Sequence, residues 1–558
     1  MTSTPIAQGV AASSLRDRGI SPAWASFATA SWIVAVDNWS FWKTFLGAQE
    51  DTPLFMGVMA LSLALVLVGF FGTVLRALCI ERLGTGVLVG VLIASAAVAH
   101  YVDSWGVLFD KAMIRNIVET DFREASELFS WLALMDLAVR GLLPASVLWY
   151  IGVRRSAATQ TLFQTAGFAI GTAALTGVVA FLFYGTFAAT FRNHRELRFQ
   201  LVPSNYVNAV YGFLKRPDTS PVTLATIAPD ATRMPAKGQK PLVLILVVGE
   251  TARAASFSLG GYARDTNAAL TNANISYFNN VTACGTDTAT SLPCMFSDLG
   301  ANSFSVDKAR ARENVLDILQ RTGVSVLWLD NNSGCKGVCD RVPSLQMPSS
   351  GPPDLCADGA CQDEILVRAL KDKLSGVTQD TTIVLHQLGS HGPSYFKRYP
   401  PPGRFQPTCE TNRIQTCSRE SLVNTYDNSI DYTTQVLAKA METARARQSS
   451  FDIAFLYISD HGESLGEKGI YLHGLPPMLA PSEQRAVPML AWLSRGAEER
   501  LKLTRACLAS VVDQPYSHDN LFHTILGVQG VRTTAYRAEL DIFARARSQP
   551  LCAVAGST

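Results

Sequence analysis

Residues 283–298 read ACGTDTATSLPCMFSD, a Ser/Thr-rich stretch in which Cys284 and Cys294 bracket Thr288. A disulfide between those two cysteines would staple the loop that carries the hydroxyl. Upstream, residues 241–250 read PLVLILVVGE, a continuous apolar run of the kind that forms a buried strand. Far downstream, residues 455–464 read FLYISDHGES, a second apolar run closing on acid and imidazole. Strands of an α/β sheet present their carboxyl ends on one edge, and ligands gather there. Glu250 and the pair Asp460–His461 each stand where an apolar run stops. Thr288, arriving from a loop or a helix start, would bring a hydroxyl to two carboxylates and an imidazole. That donor set suits zinc, with a nucleophile inside the site.

The rest of the chain sets the context. At 558 residues it is long enough for two domains or more, and its formal charge of +2, with no basic stripe, gives no sign of a nucleic-acid partner. Apolar residues concentrate in the first two hundred or so. Cysteine does the reverse: of 11, only Cys79 lies in the apolar part, and the other 10 follow residue 280. Close spacings such as Cys335/Cys339, Cys356/Cys361 and Cys409/Cys417 fit disulfides in an oxidising compartment. A zinc-binding cysteine set is the alternative, against which the missing CxxC doublets count. Cys507 and Cys552 pair only by elimination.

Five apolar segments are expected to cross a membrane, at about 22–46, 53–75, 83–102, 131–153 and 156–191. Each approaches or exceeds the roughly 20 residues that a bilayer crossing needs. In the fourth, Asp136 and Arg140 are four residues apart and are expected to pair on one helix face. Basic groups at Arg16 and Arg18, Arg76 to Arg82, and Arg154–Arg155 alternate with acidic or mixed loops. Positive-inside counting puts the N-terminus in the cytoplasm and everything after residue 191 outside it. Topology and cysteine usage therefore agree by separate routes.

Residues 215–240 are rich in Pro, Thr, Ala and Asp and read as a linker. Beyond them, β-rich runs at 242–248, 324–329, 381–388, 451–458 and 487–493 alternate with helical patterns at 312–321, 363–374 and 419–447. The alternation predicts a mainly parallel sheet covered by helices. The resulting division is a transmembrane domain over 1–214, a linker over 215–240 and an α/β domain over 241–558. His391 and His473 fall in Gly/Pro-rich loops, His386 reads as core, and His518 and His523 read as structural.

The motifs taken together carry more than any one alone. GETAR at Glu250, CGTDTATSLPC around Thr288, DNNSGCKGVCD at 330–340, LHQLGSHGPSYFKRYP and SDHGESLGE resemble the lipid A phosphoethanolamine transferases, a group that includes the mobile colistin-resistance enzymes. The resemblance extends over nearly the whole chain, including the five apolar segments and NxxxTxxxE at Asn116, Thr120 and Glu124. It implies an alkaline-phosphatase/sulfatase-like α/β domain on a helical membrane domain. It also implies that Glu250, Thr288, Asp460 and His461 hold Zn2+, with Thr288 phosphorylated in turnover. By the same resemblance, Asn116, Thr120, Glu124, Ser333, Lys336, His391 and His473 contact the phosphoethanolamine group or nearby lipid. The chain departs from the family's usual Ser at Asp287, beside the nucleophile.

The function implied is transfer of phosphoethanolamine from phosphatidylethanolamine to a phosphate of lipid A in lipopolysaccharide, through a phospho-threonine. Its place is the inner membrane, among membrane lipids, with a periplasmic catalytic domain in a monomeric chain. The product carries a primary amine, lowers surface negative charge and weakens polymyxin and other cationic-peptide binding. Two alternatives remain on the sequence: a phosphoglycerol transferase of the same superfamily, and a membrane sensor that binds phospholipid without turnover.

Overall fold

A computed structural model of the chain describes residues 19–49, 52–80, 83–120, 122–215, 224–234, 238–348, 351–357 and 360–553. The chain divides into two compact units, one formed by Met1–Ile114 and Phe129–Lys215, the other by Arg115–Leu128 and Arg216–Thr558. Residues 115–128, expected in the membrane domain, group with the second unit.

The first unit is helical. Among the described residues four helices are long and apolar enough to cross a membrane: Pro53–Leu78, Gly84–Trp105, Trp131–Ile151 and Ala158–Asn193. The expected first crossing splits instead into Pro22–Val36 and Trp39–Gly47. The split has a clear cause at Asn38, whose amide donates to the carbonyls of Ile33 and Val202 and accepts from the Val202 N–H. The side chain thereby replaces the helical ladder at the break. At 15 residues, Pro22–Val36 is the shorter apolar helix of the set.

Asp136 and Arg140 do not pair with each other. His100 Nδ1 lies 2.8 Å from Asp136, and Arg140 donates to Asp103 at 2.7 Å. Both side chains look across at Gly84–Trp105, where each meets its own partner, and a π-helical turn over Leu137–Leu142 carries Arg140. Two inter-helix pairs replace one intra-helix pair, which ties two spans together at charges that lipid would penalise. Arg76 is also inward, fully buried and donating to Gln164 Oε1, Thr161 Oγ1 and Ser156 Oγ.

The second unit is built on a seven-stranded sheet. Its strands in chain order are β1 (Leu242–Gly249), β2 (Ser276–Phe278), β3 (Ser325–Asp330), β4 (Ser344–Gln346), β5 (Thr381–His386), β6 (Asp452–Ser459) and β7 (Met489–Leu493). Across the sheet they run β2-β7-β6-β1-β5-β3-β4. Five neighbours, β6 through β4, are parallel, and β7 is antiparallel to both β6 and β2. Every residue of β1 and β6 is buried, as continuous apolar runs covered on both faces should be. Helices Val315–Arg321, Glu364–Leu374, Arg419–Arg445 and Asp519–Val528 supply the cover. The register then fixes the site: Gly249 pairs with Ser459, so the next residues, Glu250 and Asp460, leave adjacent strands side by side.

Four disulfides close local loops, Cys284–Cys294, Cys335–Cys339, Cys356–Cys361 and Cys409–Cys417, and a fifth, Cys507–Cys552, spans 45 residues. Cys79 is free and buried.

Candidate active site and metal centre

Thr288 is the first residue of the helix Thr288–Met295, and the preceding Asp287 caps it by accepting from the Thr290 N–H at 3.0 Å. The cap takes one of the first turn's N–H groups, and as the first residue of the helix Thr288 presents its hydroxyl at the helix N-terminus. That hydroxyl lies 3.1 Å from each oxygen of Glu250 and 3.3 Å from His461 Nε2. Glu250, Asp460 and His461 are all buried, and their ligand atoms lie within 4.8 Å of one another.

Supporting contacts aim these groups. Glu250 accepts from Thr251 Oγ1 at 2.6 Å and from Asn332 Nδ2 at 2.7 Å. Asp460 Oδ1 accepts from the N–H groups of Thr251 and His461, at 3.1 and 2.7 Å. His461 Nδ1 lies 2.9 Å from the Gly462 carbonyl, the contact that leaves the Nε2 lone pair pointing inward. The other Asp460 oxygen, Oδ2, is buried without a hydrogen-bond partner, although it lies 3.3 Å from His461 Nε2. An orphaned carboxylate oxygen, a second carboxylate, a hydroxyl and an inward imidazole lone pair fit a metal ion.

The three groups are electrostatically interdependent. Burial pushes Asp460 up to about 7, and the Glu250 charge adds to it. Burial opposes the charge on His461, yet Asp460 and Glu250 outweigh it and hold the imidazole up at about 10. Glu250, also penalised by burial, is held well below the usual carboxylate range by His461. Such a cluster of mutually dependent buried charges is the environment that a bound dication reorders.

A small cavity of about 60 Å³ opens over Thr288. Its walls bring together Asn116, Thr120, Ser333, Lys336, His391 and His473, and also Glu119, Asp287 and Asn332. The helix carrying Asn116 ends at Glu119, and the Thr120 hydroxyl turns back to the Asn116 carbonyl at 2.6 Å. The NxxxTxxxE spacing, which on one continuous helix would put Asn116, Thr120 and Glu124 on one face, is therefore interrupted before residue 124, and Glu119 joins Asp287 as an acid in the wall; the side chain of Glu124 lies outside the described residues. Lys336 Nζ donates to Ser333 Oγ at 3.1 Å. His473 Nδ1 lies 3.2 Å from Glu463, a carboxyl that burial pushes up to about 8. The rings of His391 and His473 have centroids 5.4 Å apart. Arg398 donates to the His391 carbonyl at 2.7 Å and pairs with buried Glu127 at 2.6 Å.

The sequence reading missed Thr251, Asn332, Glu119 and Asp287 as builders of the site. Thr251 stands at φ +57, a backbone state that no composition signal reveals in a threonine. Asn332 lies in a stretch already singled out, DNNSGCKGVCD, and also donates to the Gln387 carbonyl at 2.9 Å. His386, read as core, is buried and lies 2.9 Å from Asp330 through Nδ1. His518 is structural: its Nδ1 accepts the Cys284 N–H at 3.1 Å, and Nε2 faces the Ser459 carbonyl at 3.0 Å.

Comparison with known proteins adds to this geometry. Residues 243–531 match the Sulfatase family, and residues 67–217 match the family described as Phosphoethanolamine transferase EptA/EptB. The chain is 40% identical over 516 residues to phosphoethanolamine transferase EptA of Escherichia coli strain K12, covering 91% of this chain and 94% of that protein. It is 37% identical over 422 residues to the phosphatidylethanolamine transferase Mcr-1 of Escherichia coli, covering 73% and 78% of the two chains. Among solved structures it is similar to the integral membrane lipooligosaccharide phosphoethanolamine transferase A of Neisseria meningitidis. That likeness has TM-score 0.89 and 34% identity, and covers 94% of this chain and 98% of that one.

Proposed function

The chain belongs to the EptA family of phosphoethanolamine transferases, and we propose that it moves phosphoethanolamine from phosphatidylethanolamine to a phosphate of lipid A on the periplasmic face of the inner membrane. The observation that carries this reading is the Thr288 hydroxyl, 3.1 Å from both Glu250 oxygens and 3.3 Å from His461 at a helix N-terminus.

In the first half-reaction Thr288 Oγ1 attacks the phosphorus of the donor, the bond to the glycerol oxygen breaks, and diacylglycerol departs. Zinc, held by Glu250, Thr288, Asp460 and His461, would lower the pKa of the hydroxyl and offset charge on the phosphoryl oxygens. The N-terminus of the Thr288 helix would lie against those oxygens, where an anion is stabilised. Lys336 is a further counter-charge in the same cavity. Asn116 and Thr120 offer an amide and a hydroxyl to the head group, and Glu119 offers a carboxylate to its ammonium. His391 and His473 line the same cavity, and Glu463 fixes the ring of His473. In the second half-reaction a lipid A phosphate takes the group from Thr288. The two-step route lets two bulky lipids use one small cavity in turn.

The test is transfer by the full chain in detergent, with phosphatidylethanolamine and lipopolysaccharide. Thr288→Ala should lower modification of lipopolysaccharide by a thousandfold or more, a loss of about 4 kcal/mol in transition-state stabilisation, with folding intact. Modification that persists in a well-folded Thr288→Ala protein contradicts the assignment. Replacing the donor with phosphatidylglycerol should give no product, and efficient glycerol phosphate transfer would favour the phosphoglycerol reading.

A further inference from the structure

The cavity over Thr288 measures about 60 Å³ and has room for a few water-sized groups, which suits a head group and excludes a sugar ring beside it. A second cavity of about 530 Å³ adjoins it, within the usual range of small-molecule sites. The two share Glu119, Ser333 and Lys336, so Lys336 lines both.

The cations on the larger cavity's wall are not equivalent. Arg310 is paired with Glu119 at 2.5 Å, and Arg341 with Asp317 at 2.7 Å. Lys336 donates only to the carbonyl and hydroxyl of Ser333, at 3.3 and 3.1 Å, and meets no carboxylate among the described residues. A partly buried ammonium without a counter-ion, in the wall of both cavities, awaits an anion from outside the protein. Its backbone is also constrained. Lys336 stands at φ +50 between Gly334 at +88 and Gly337 at +91, inside the loop that Cys335–Cys339 closes. A lysine in the left-handed region is uncommon, and strain of that kind gathers at functional sites.

We propose that this larger cavity is the acceptor subsite, taking the phosphorylated sugar of the acceptor with its phosphate on Lys336 and its ring among Ser297, Ala309 and Asp340. The assignment rests on the transfer reaction proposed above. A phosphate on Lys336 would sit against a residue that also lines the Thr288 cavity, so one of its oxygens can reach the phosphorus carried by Thr288. That oxygen forms a new P–O bond while the P–Oγ1 bond of Thr288 breaks. The threonine oxygen leaves with the bonding pair and takes one proton, from the acceptor phosphate if it arrives as a monoanion and otherwise from water. The product is a diphosphate linkage that ends in ethanolamine. Asp340, exposed on the cavity rim, offers a carboxylate to sugar hydroxyls.

The two half-reactions separate this proposal from the one beneath it. Full-length protein in detergent is first loaded with phosphatidylethanolamine labelled in the ethanolamine, and label on Thr288 is measured. The donor is then removed and lipopolysaccharide is added, and discharge of the label is followed. Ala309→Trp narrows the larger cavity without entering the Thr288 cavity, and Asp340→Ala removes a rim carboxylate. Both variants should load within twofold of the wild type, which also reports their folding. Discharge onto lipopolysaccharide should slow at least tenfold in Ala309→Trp and severalfold in Asp340→Ala, while slow loss of label to water stays unchanged. Wild-type discharge in both variants overturns the subsite, and so does an equal fall in loading and discharge. Wild-type protein that never labels at Thr288 removes the transfer mechanism and this subsite with it.

Discussion

At the scale of single residues, the candidate metal centre depends on side chains that touch its carboxylates and imidazole. Asn332 donates to Glu250 at 2.7 Å and to the Gln387 carbonyl at 2.9 Å, tying that carboxylate to the β5 end. Partners of this kind usually set metal affinity by 10- to 100-fold. Asn332→Ala should therefore weaken zinc binding by about that factor, read by competition with a chromogenic chelator, while Thr288 stays in place. Unchanged affinity would mean that Glu250 is held by Thr251 alone. Glu250, Asp460 and His461 were legible in the sequence because each stops an apolar run, and a buried strand end rarely carries charge without a use. Asn332 and Thr251 were not. Their roles come from approaches across 82 residues of chain for Asn332 and from a positive φ at Thr251.

At the scale of elements, the parallel strands were legible because full burial makes them continuous apolar runs. β2 and β4, at three residues each, carry no periodicity that a pattern can detect. The segment after residue 115 misled for another reason: a four-residue repeat implies a continuous helix, but the chain ends one at Glu119 and begins another at Phe122. One structural contact between elements yields a pH dependence. His518 joins the Cys284 loop to the end of β6, and burial pulls its pKa from 6.5 down to about 4. The folded state thus favours the neutral ring. Its contribution is fully present above pH 6.5 and falls by about 1.4 kcal/mol per pH unit as the pH drops towards 4. His523, lowered to about 4 chiefly by burial, acts in the same direction. His518→Gln cannot be protonated there, so its stability deficit should be largest at pH 7.5 and shrink towards pH 5 in denaturant titrations. A deficit that is constant over that range would refute the buried neutral histidine.

At the scale of the whole molecule, the described residues hold four long apolar helices, one shorter one and a disulfide-rich α/β unit. The division between an apolar and a cysteine-rich half was plain from composition. The pairing of His100 with Asp136 and of Asp103 with Arg140 was not, since a sequence shows spacing along one helix and not the partner across from it. The central claim is that Thr288 carries phosphoethanolamine between two lipids. Its most direct measurement is mass spectrometry of the peptide containing Thr288 after the purified chain meets labelled phosphatidylethanolamine without acceptor. The account predicts one phosphoethanolamine group on Thr288, lost when lipopolysaccharide is added and absent from Thr288→Ala. Transfer to lipopolysaccharide with no label ever on Thr288, or label on another residue that survives in Thr288→Ala, would contradict it.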